Sequence, residues 1–164
     1  MTWKRNLLVI ANVTAASDEL TSCLKRRAQE GACSFTLVVP ATPFGGGRQA
    51  ARETLEHALA QLSESGLEAE GSVGDADPLI AVTEAWDPRR YDEIIVCTLP
   101  MRFSKWLHAG LPERIAKLTG APVTHVVAQP PKPPVAASPP PAHDSPADVM
   151  GPLKVLSWGG NKDQ

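Results

Sequence analysis

Two short apolar runs decide the fold: Leu7-Leu8-Val9-Ile10-Ala11 near the start of the chain and Ile94-Ile95-Val96-Cys97 farther along. An uninterrupted apolar run of this length is typical of a strand that is covered on both faces. Each run is followed directly by a short turn, Asn12-Val13-Thr14 after the first and Thr98-Leu99-Pro100 after the second. The runs therefore predict two strands of a parallel sheet.

Strand and helix patterns alternate along the rest of the chain. Apolar stripes at helical spacing predict helices over about 20–28, 51–62, 79–86, 104–109 and 112–118, and further strands are predicted over 35–39, 67–73 and 123–127. Asp77-Pro78 predicts the cap and first turn of the third helix. The order β-α-β-α-β-α-β-α-β predicts a five-stranded parallel sheet with helices on both faces, since each right-handed crossover carries a helix.

The ends of the first and fourth strands are the expected ligand site. In open parallel sheets, ligands bind beyond the carboxyl ends of the strands, at the point where the strand order reverses. We place that reversal between the first and fourth strands, so the turns after Ala11 and Cys97 are the candidate site.

Composition excludes several classes of protein. The 164 residues carry 16 Lys plus Arg and 18 Asp plus Glu, a formal net charge of −2, which argues against binding to nucleic acid or to an anionic membrane surface. No apolar run approaches the roughly 20 residues that cross a bilayer. The three cysteines, Cys23, Cys33 and Cys97, lie far apart without ligand spacing, which favours a reducing cytoplasm and no metal site.

Proline marks the expected end of the folded domain. Of the 16 prolines in the chain, most lie beyond residue 129, where they prevent strand pairing and helix continuation. We expect a domain over residues 1–128, a disordered Pro-rich linker over 129–149 and a short apolar tail over 150–164. The tail carries the apolar group Leu153, Val155, Leu156 and Trp158, which we expect to dock on its own domain, a dimer mate or another partner.

Three segments resemble the universal stress protein family over about residues 4–127. After the first strand, Asn12 and Thr14 stand at the aspartate and serine positions of the family's Val-Asp-Gly-Ser type turn. The segment 74–78, Gly-Asp-Ala-Asp-Pro, resembles the family's entry into its third helix, and 118–123, Leu-Thr-Gly-Ala-Pro-Val, resembles the step into its last strand. The resemblance implies a Rossmann-like fold, a homodimer formed by pairing of the last strands, and a site for ATP or another adenine nucleotide.

The family's phosphate signature is altered in this chain. Nucleotide-binding members carry Gly-x2-Gly-x9-Gly-Ser/Thr, and here Cys97, Pro100, Gly110 and Leu111 occupy those spacings. Proline removes a backbone N–H from a phosphate loop, and leucine cannot hydrogen-bond to phosphate. The hydroxyls of Thr98 and Ser104 and the positive charges of Arg102 and Lys105 in the same stretch partly compensate.

The leading hypothesis is a universal stress protein-like regulatory or ligand-binding module, without catalysis of its own, that binds an adenine nucleotide weakly. Val39 enters the predicted site because the family places a second-strand valine near the adenine. The candidate binding residues are Asn12, Thr14, Val39, Thr98, Arg102, Ser104, Lys105 and Gly110. Two alternatives stay open: a ligand-free interaction module acting through its dimer surface and tail, and a nucleotidyl transferase-like enzyme, for which no phosphate motif is present.

Two site residues have competing interpretations. Asn12 either meets a base edge or ribose, using both its donor and its acceptor, or caps the local turn after the first strand. Cys97 is either a reactive thiol at a strand end or a small core residue that completes the run Ile94-Ile95-Val96.

Overall fold

The computed structural model describes residues 3–130 of the chain. Most of the predicted linker and the whole apolar tail lie outside the described residues. The elements, in chain order, are β1 (Arg5–Ile10), α1 (Asp18–Glu30), β2 (Cys33–Pro40), α2 (Gly47–Glu64), β3 (Ala69–Gly74), α3 (Pro78–Ala85), β4 (Glu93–Thr98), α4 (Lys105–His108), α5 (Leu111–Thr119) and β5 (Val123–Val127). Single 3-10 turns precede α2 (Pro43–Gly45) and α4 (Met101–Phe103).

The five strands form one parallel sheet in the order β3-β2-β1-β4-β5. The predicted fold class is confirmed, and the strand order reverses between β1 and β4 as predicted. β3 lies at one edge of the sheet, in agreement with its weaker alternation. The carboxyl ends of β1 and β4 are therefore adjacent, with one connection leaving toward each side of the sheet.

Successive residues of the central strands serve two separate cores, because side chains alternate between the faces of a sheet. Leu7 and Val9 of β1 pack toward α1 and α2, whereas Leu8 and Ile10 pack toward α3 and α5. All four side chains are fully buried. This double burial is the reason why β1 is apolar at every one of these positions.

The helix boundaries follow local capping. Asp77 caps α3 as predicted, with its carboxylate accepting a hydrogen bond from the Leu79 backbone N–H, and Pro78 is the first helical residue. The predicted helix over 104–109 is shorter in the structure, because Met101–Phe103 forms a 3-10 turn and Ser104 is the cap rather than the first residue of α4. Gly46, at a φ of 91°, turns the chain from the first 3-10 segment into α2.

A carboxylate network closes the opposite end of the sheet. The Glu93 side chain, 5% exposed, accepts from Arg5 at 2.8 Å and from Arg27 at 2.7 Å. The Thr124 hydroxyl also donates to Glu93. These contacts join β1, α1, β4 and β5 at the amino ends of the strands, far along the strands from the predicted site.

Candidate functional site

A cavity of about 630 Å³ opens where β1 and β4 diverge. Its walls come from the loops after β1, β2, β3 and β4 and from the start of α5. The lining residues are Asn12, Val13, Thr14, Thr42, Gly45, Ala76, Asp77, Pro78, Leu79, Cys97, Thr98, Leu99, Phe103, Ser104, Lys105, Trp106, Ala109, Leu111 and Arg114. The volume lies in the range of small-molecule and cofactor sites.

A neutral polar group forms one end of the cavity. The Asn12 side-chain amide donates to the Thr42 hydroxyl oxygen at 2.7 Å, which ties the loop after β1 to the loop after β2. Gly45 closes over this pair, since a Cβ at that position would come within 3.0 Å of the Thr42 hydroxyl oxygen. The bond fixes the amide orientation, so the Asn12 carbonyl oxygen remains an acceptor for a ligand.

The Thr14 hydroxyl bridges the crevice. It is buried and donates to the Cys97 carbonyl oxygen at 3.0 Å, which joins the turn after β1 to β4. Because its proton is committed, Thr14 can only accept a hydrogen bond from a ligand. An ionised phosphate oxygen has no proton to donate. The Thr14 side chain therefore stabilises the site but does not donate a hydrogen bond to phosphate.

Thr98 is bonded to a histidine that the sequence did not single out. The Thr98 hydroxyl lies 2.7 Å from Nε2 of His125 on β5. Burial lowers the pKa of His125, and the carboxylate of Glu113 opposes this shift. The tautomer of the neutral ring decides which of the two groups donates, and in either case the Thr98 hydroxyl is already engaged by His125.

Ser104 keeps a proton for a ligand. Its hydroxyl oxygen accepts from the Leu107 backbone N–H at 3.2 Å as the cap of α4. That role uses a lone pair and leaves the hydroxyl proton available. Ser104 is buried and lines the cavity, so among the predicted hydroxyls it is the best placed donor.

Only part of the positive charge at the site comes from residues that the sequence predicted. Lys105 lines the cavity as predicted, and Arg114 of α5 joins it. Arg102 does not line the cavity. It is exposed, and its guanidinium carbon lies 4.9 Å from the centre of the Phe103 ring. The 3-10 turn that carries Arg102 places its guanidinium over Phe103, so Arg102 is not among the residues that line the cavity.

Val39 and Gly110 are also not among the lining residues. Val39 is fully buried in the core between the sheet and α1 and α2, because it shares the face of β2 with Phe35 and Leu37. Gly110 is the N-cap of α5, with a φ of 64°. The structure thus brings together Asn12, Thr14, Thr98, Ser104 and Lys105 and places the other three predicted residues elsewhere.

Several lining residues were missed by sequence reasoning. Thr42 and Gly45 follow β2, and the segment 76–79 follows β3. The available signal was the carboxyl-end rule, which applies to these neighbouring strands as well as to β1 and β4. Phe103 and Trp106 were read as part of the predicted loop and helix, and only the turn over Met101–Phe103 brings their rings to the cavity.

Cys97 behaves as a core residue at the floor of the cavity. It is fully buried, and burial raises the pKa of its thiol, although hydrogen bonds with Thr14 and Ser17 act in the opposite direction. Its sulfur lies 3.8 Å from the Ser17 hydroxyl oxygen. A raised thiol pKa and full burial oppose thiolate chemistry, so the core interpretation of Cys97 is favoured.

Within residues 3–130, no cluster of three or more His, Cys, Asp or Glu side chains is arranged to hold a metal ion. Over the same residues, no helix has the length and apolar character needed to span a membrane.

Solved structures share the fold of this chain, although at the sequence level no family model and no curated protein matches it. The universal stress protein from Archaeoglobus fulgidus in complex with dAMP superposes with a TM-score of 0.55 at 15% identity, over 77% of this chain and 99% of that one. A universal stress protein family protein from Arabidopsis thaliana with AMP bound gives 0.56 at 14% identity, over 80% and 96%. A universal stress protein in complex with cAMP gives 0.53 at 18% identity, over 78% and 99%. The chain therefore has the fold of the universal stress proteins.

Proposed function

We propose that this protein is a universal stress protein-like regulatory module that binds an adenine nucleotide weakly in the cavity between β1 and β4, without catalysis of its own. The observation that carries the proposal is the cavity of about 630 Å³ at the strand reversal of this fold. Three solved proteins of the same fold hold AMP, dAMP or cAMP.

The polarity of the cavity supports a nucleotide. The Asn12 and Thr42 pair supplies a donor and acceptors at the neutral end, which suits a base edge or a ribose hydroxyl. Lys105, Arg114 and the Ser104 hydroxyl supply the cationic, proton-donating part, which suits phosphate. Apolar side chains such as Leu79 and Trp106 lie in the same walls and can cover a base.

The altered phosphate loop supports weak binding. Thr14 has committed its hydroxyl proton to the Cys97 carbonyl oxygen, the Thr98 hydroxyl is hydrogen-bonded to His125, and Pro100 has no backbone N–H. Fewer donors for phosphate mean less charge-assisted hydrogen bonding, which supplies much of the affinity at such sites. We place this module in the cytoplasm and in the response to stress. The free cysteines Cys23, Cys33 and Cys97 fit a reducing compartment.

Calorimetric titration of the full chain with AMP tests the proposal. We expect a saturable heat for the parent protein and for Ala60→Phe, which changes an exposed position of α2 outside the lining. We expect Ala109→Phe, which places a ring in the cavity wall, to abolish the heat while preserving the unfolding temperature. Absence of heat for AMP, ADP and ATP at millimolar concentration would refute nucleotide binding, and a native mass spectrum of the purified protein would reveal a retained nucleotide.

A second candidate is a ligand-free interaction module that acts as a homodimer. It is supported by β5, which forms the outer edge of the described sheet and exposes 42% of Val127. An unpaired edge strand is a template for pairing with another chain. Val127→Lys is expected to give monomers in sedimentation experiments, and Leu118→Lys, at an exposed apolar position of α5, is the matched control. A mass unchanged by Val127→Lys contradicts pairing through β5.

The role of the tail in this second candidate concerns residues outside the described part of the chain. Deleting residues 150–164 removes Leu153, Val155, Leu156 and Trp158. If these residues dock, the deletion lowers thermal stability, alters the oligomeric state or abolishes capture of a partner. If none of the three changes, docking of the tail is refuted.

A further inference from the structure

We infer that the cavity selects a nucleotide with a single phosphate, held by Arg114 and Ser104, and discriminates against a triphosphate. This inference rests on the proposed nucleotide-binding function and names its ligand more narrowly. It follows from a count of the donors and charges that remain for phosphate once the protein's own contacts are satisfied.

The start of α3, at the cavity, is already supplied with a protein oxygen. Phosphate binds at a helix N-terminus because the first N–H groups are unpaired and the helix dipole favours negative charge. At α3, the Asp77 carboxylate accepts from the Leu79 N–H at 2.8 Å, and Pro78 has no N–H to offer. A polyphosphate at α3 would have to displace a carboxylate and meet its negative charge.

The start of α5 is also a poor site for several phosphates. Gly110 caps this helix without a side-chain acceptor, and Pro112 in the first turn lacks an N–H. The Glu113 carboxylate folds back on this turn, with Oε2 3.8 Å from the position of a Cβ at Gly110. The Glu113 carboxylate therefore adds negative charge at the start of α5, which disfavours additional anionic groups there.

The loop after β4 offers few backbone donors. In a phosphate cradle, successive N–H groups point toward the ligand. Here the Phe103 N–H is bonded to the Pro100 carbonyl oxygen at 2.8 Å and the Ser104 N–H to that of Met101 at 3.3 Å. These two backbone N–H groups are paired within the loop and are therefore not available to a phosphate.

The remaining charge fits one phosphate group. Among the described lining residues, Arg114 is a cationic side chain placed for phosphate, and Asp77 is a carboxylate that opposes further negative charge. A phosphomonoester carries about two negative charges near neutral pH, and each further phosphate adds more. The Arg114 guanidinium can hold two oxygens of one phosphate in a fork geometry, while the Ser104 proton donates to the third.

Apolar side chains also line the cavity. Leu99, Phe103, Trp106 and Leu111 line the cavity close in sequence to Ser104, Lys105 and Arg114. Additional ionised phosphates beside these apolar side chains would gain no hydrogen bonds from them, which disfavours their transfer from water. A single phosphate avoids this cost, because it remains at the donors of Arg114 and Ser104.

The test is calorimetric titration of the full chain with adenosine, AMP and ATP, the last with and without magnesium. We expect AMP to bind at least about tenfold more tightly than ATP and than adenosine, since one charge-assisted contact corresponds to a factor of about ten or more. Arg114→Gln should weaken AMP about tenfold and leave adenosine unchanged. Arg26→Gln is the matched control, since Arg26 is an exposed arginine of α1 that does not line the cavity, and it should leave AMP affinity unaltered.

The outcomes separate this inference from the proposed function. If ATP binds as tightly as AMP, or if Arg114→Gln leaves AMP affinity unchanged, the single-phosphate inference is overturned while nucleotide binding stands. If adenosine matches AMP, the phosphate contact is refuted and a nucleoside site remains. If no adenosine compound binds, the proposed function fails and the inference fails with it.

Discussion

The hydroxyl of Thr14 donates a hydrogen bond of 3.0 Å to the backbone carbonyl oxygen of Cys97 and thereby joins the carboxyl ends of β1 and β4. The contact spans 83 residues of sequence and lies at the floor of the cavity. It links the turn after β1 to the carboxyl end of β4. The candidate site is therefore built on a fixed crevice rather than on two independent loops.

Replacing Thr14 with valine should destabilise the protein by about 1–3 kcal/mol, because the Cys97 carbonyl oxygen loses a buried partner. Thr14→Ser, which keeps the hydroxyl, should recover most of that stability. Urea unfolding of the three proteins measures the difference. Equal stability of Thr14→Val and the parent would show that the bond contributes nothing to the fold.

Removing the charge of Glu93 should destabilise the opposite end of the sheet. Glu93→Gln weakens both the 2.8 Å contact with Arg5 and the 2.7 Å contact with Arg27, and Glu93 itself is almost fully buried. We expect a loss of about 1–3 kcal/mol, since both guanidinium groups remain partly hydrated. The control is Glu68→Gln, which affects the exposed pair with Lys4 and should cost no more than about 1 kcal/mol. Similar losses for the two variants would contradict the importance of burial here.

His125 should make stability depend on pH in mildly acidic solution. Burial lowers its pKa in the folded state, so the unfolded chain binds the proton more readily. Its contribution to stability is present above the unfolded pKa of about 6.5 and is lost as the pH falls toward the folded value. His125→Asn should flatten this part of the profile of unfolding free energy against pH, whereas His108→Asn, at an exposed position, should not. Parallel profiles for the parent and His125→Asn would rule out this assignment.

The cysteines should differ in reactivity toward iodoacetamide in the native protein. Cys97 is fully buried with a raised thiol pKa, whereas Cys33 is only partly buried, although its pKa is raised as well. We expect alkylation of Cys33 first and modification of Cys97 only after urea unfolding, measured by peptide mass spectrometry. Rapid native alkylation of Cys97 would support the reactive-thiol interpretation instead.

The fold was largely predictable because strand burial leaves a direct trace in the sequence. β1 and β4 are apolar at successive positions since each faces two helical layers, and the connections between them have the length of a helix. Alternation of these elements leaves few allowed topologies, so the strand reversal between β1 and β4 followed.

The site was only partly predictable because the position of a residue in the sequence does not fix the direction in which its side chain points. Asn12 and Ser104 reach the cavity as expected, since they directly follow β1 and precede α4. Val39 was placed by resemblance, but its parity on β2 directs it into the core. Arg102 was placed by its charge, and the 3-10 turn directs it onto Phe103.

The sequence by itself determined the parallel sheet, its strand reversal and the edge at which a ligand would bind. The reason is that buried strands are recognisable as short apolar runs, and the lengths of the connections between them indicate helices. Only the tertiary structure decided which charges and hydroxyls face the cavity. The tertiary fold brings Arg114 of α5 to the cavity, Thr42 to Asn12, and His125 of β5 to Thr98. Hydrogen-bond partners separated by tens of residues depend on packing, and packing also determines which hydroxyls keep a proton for a ligand.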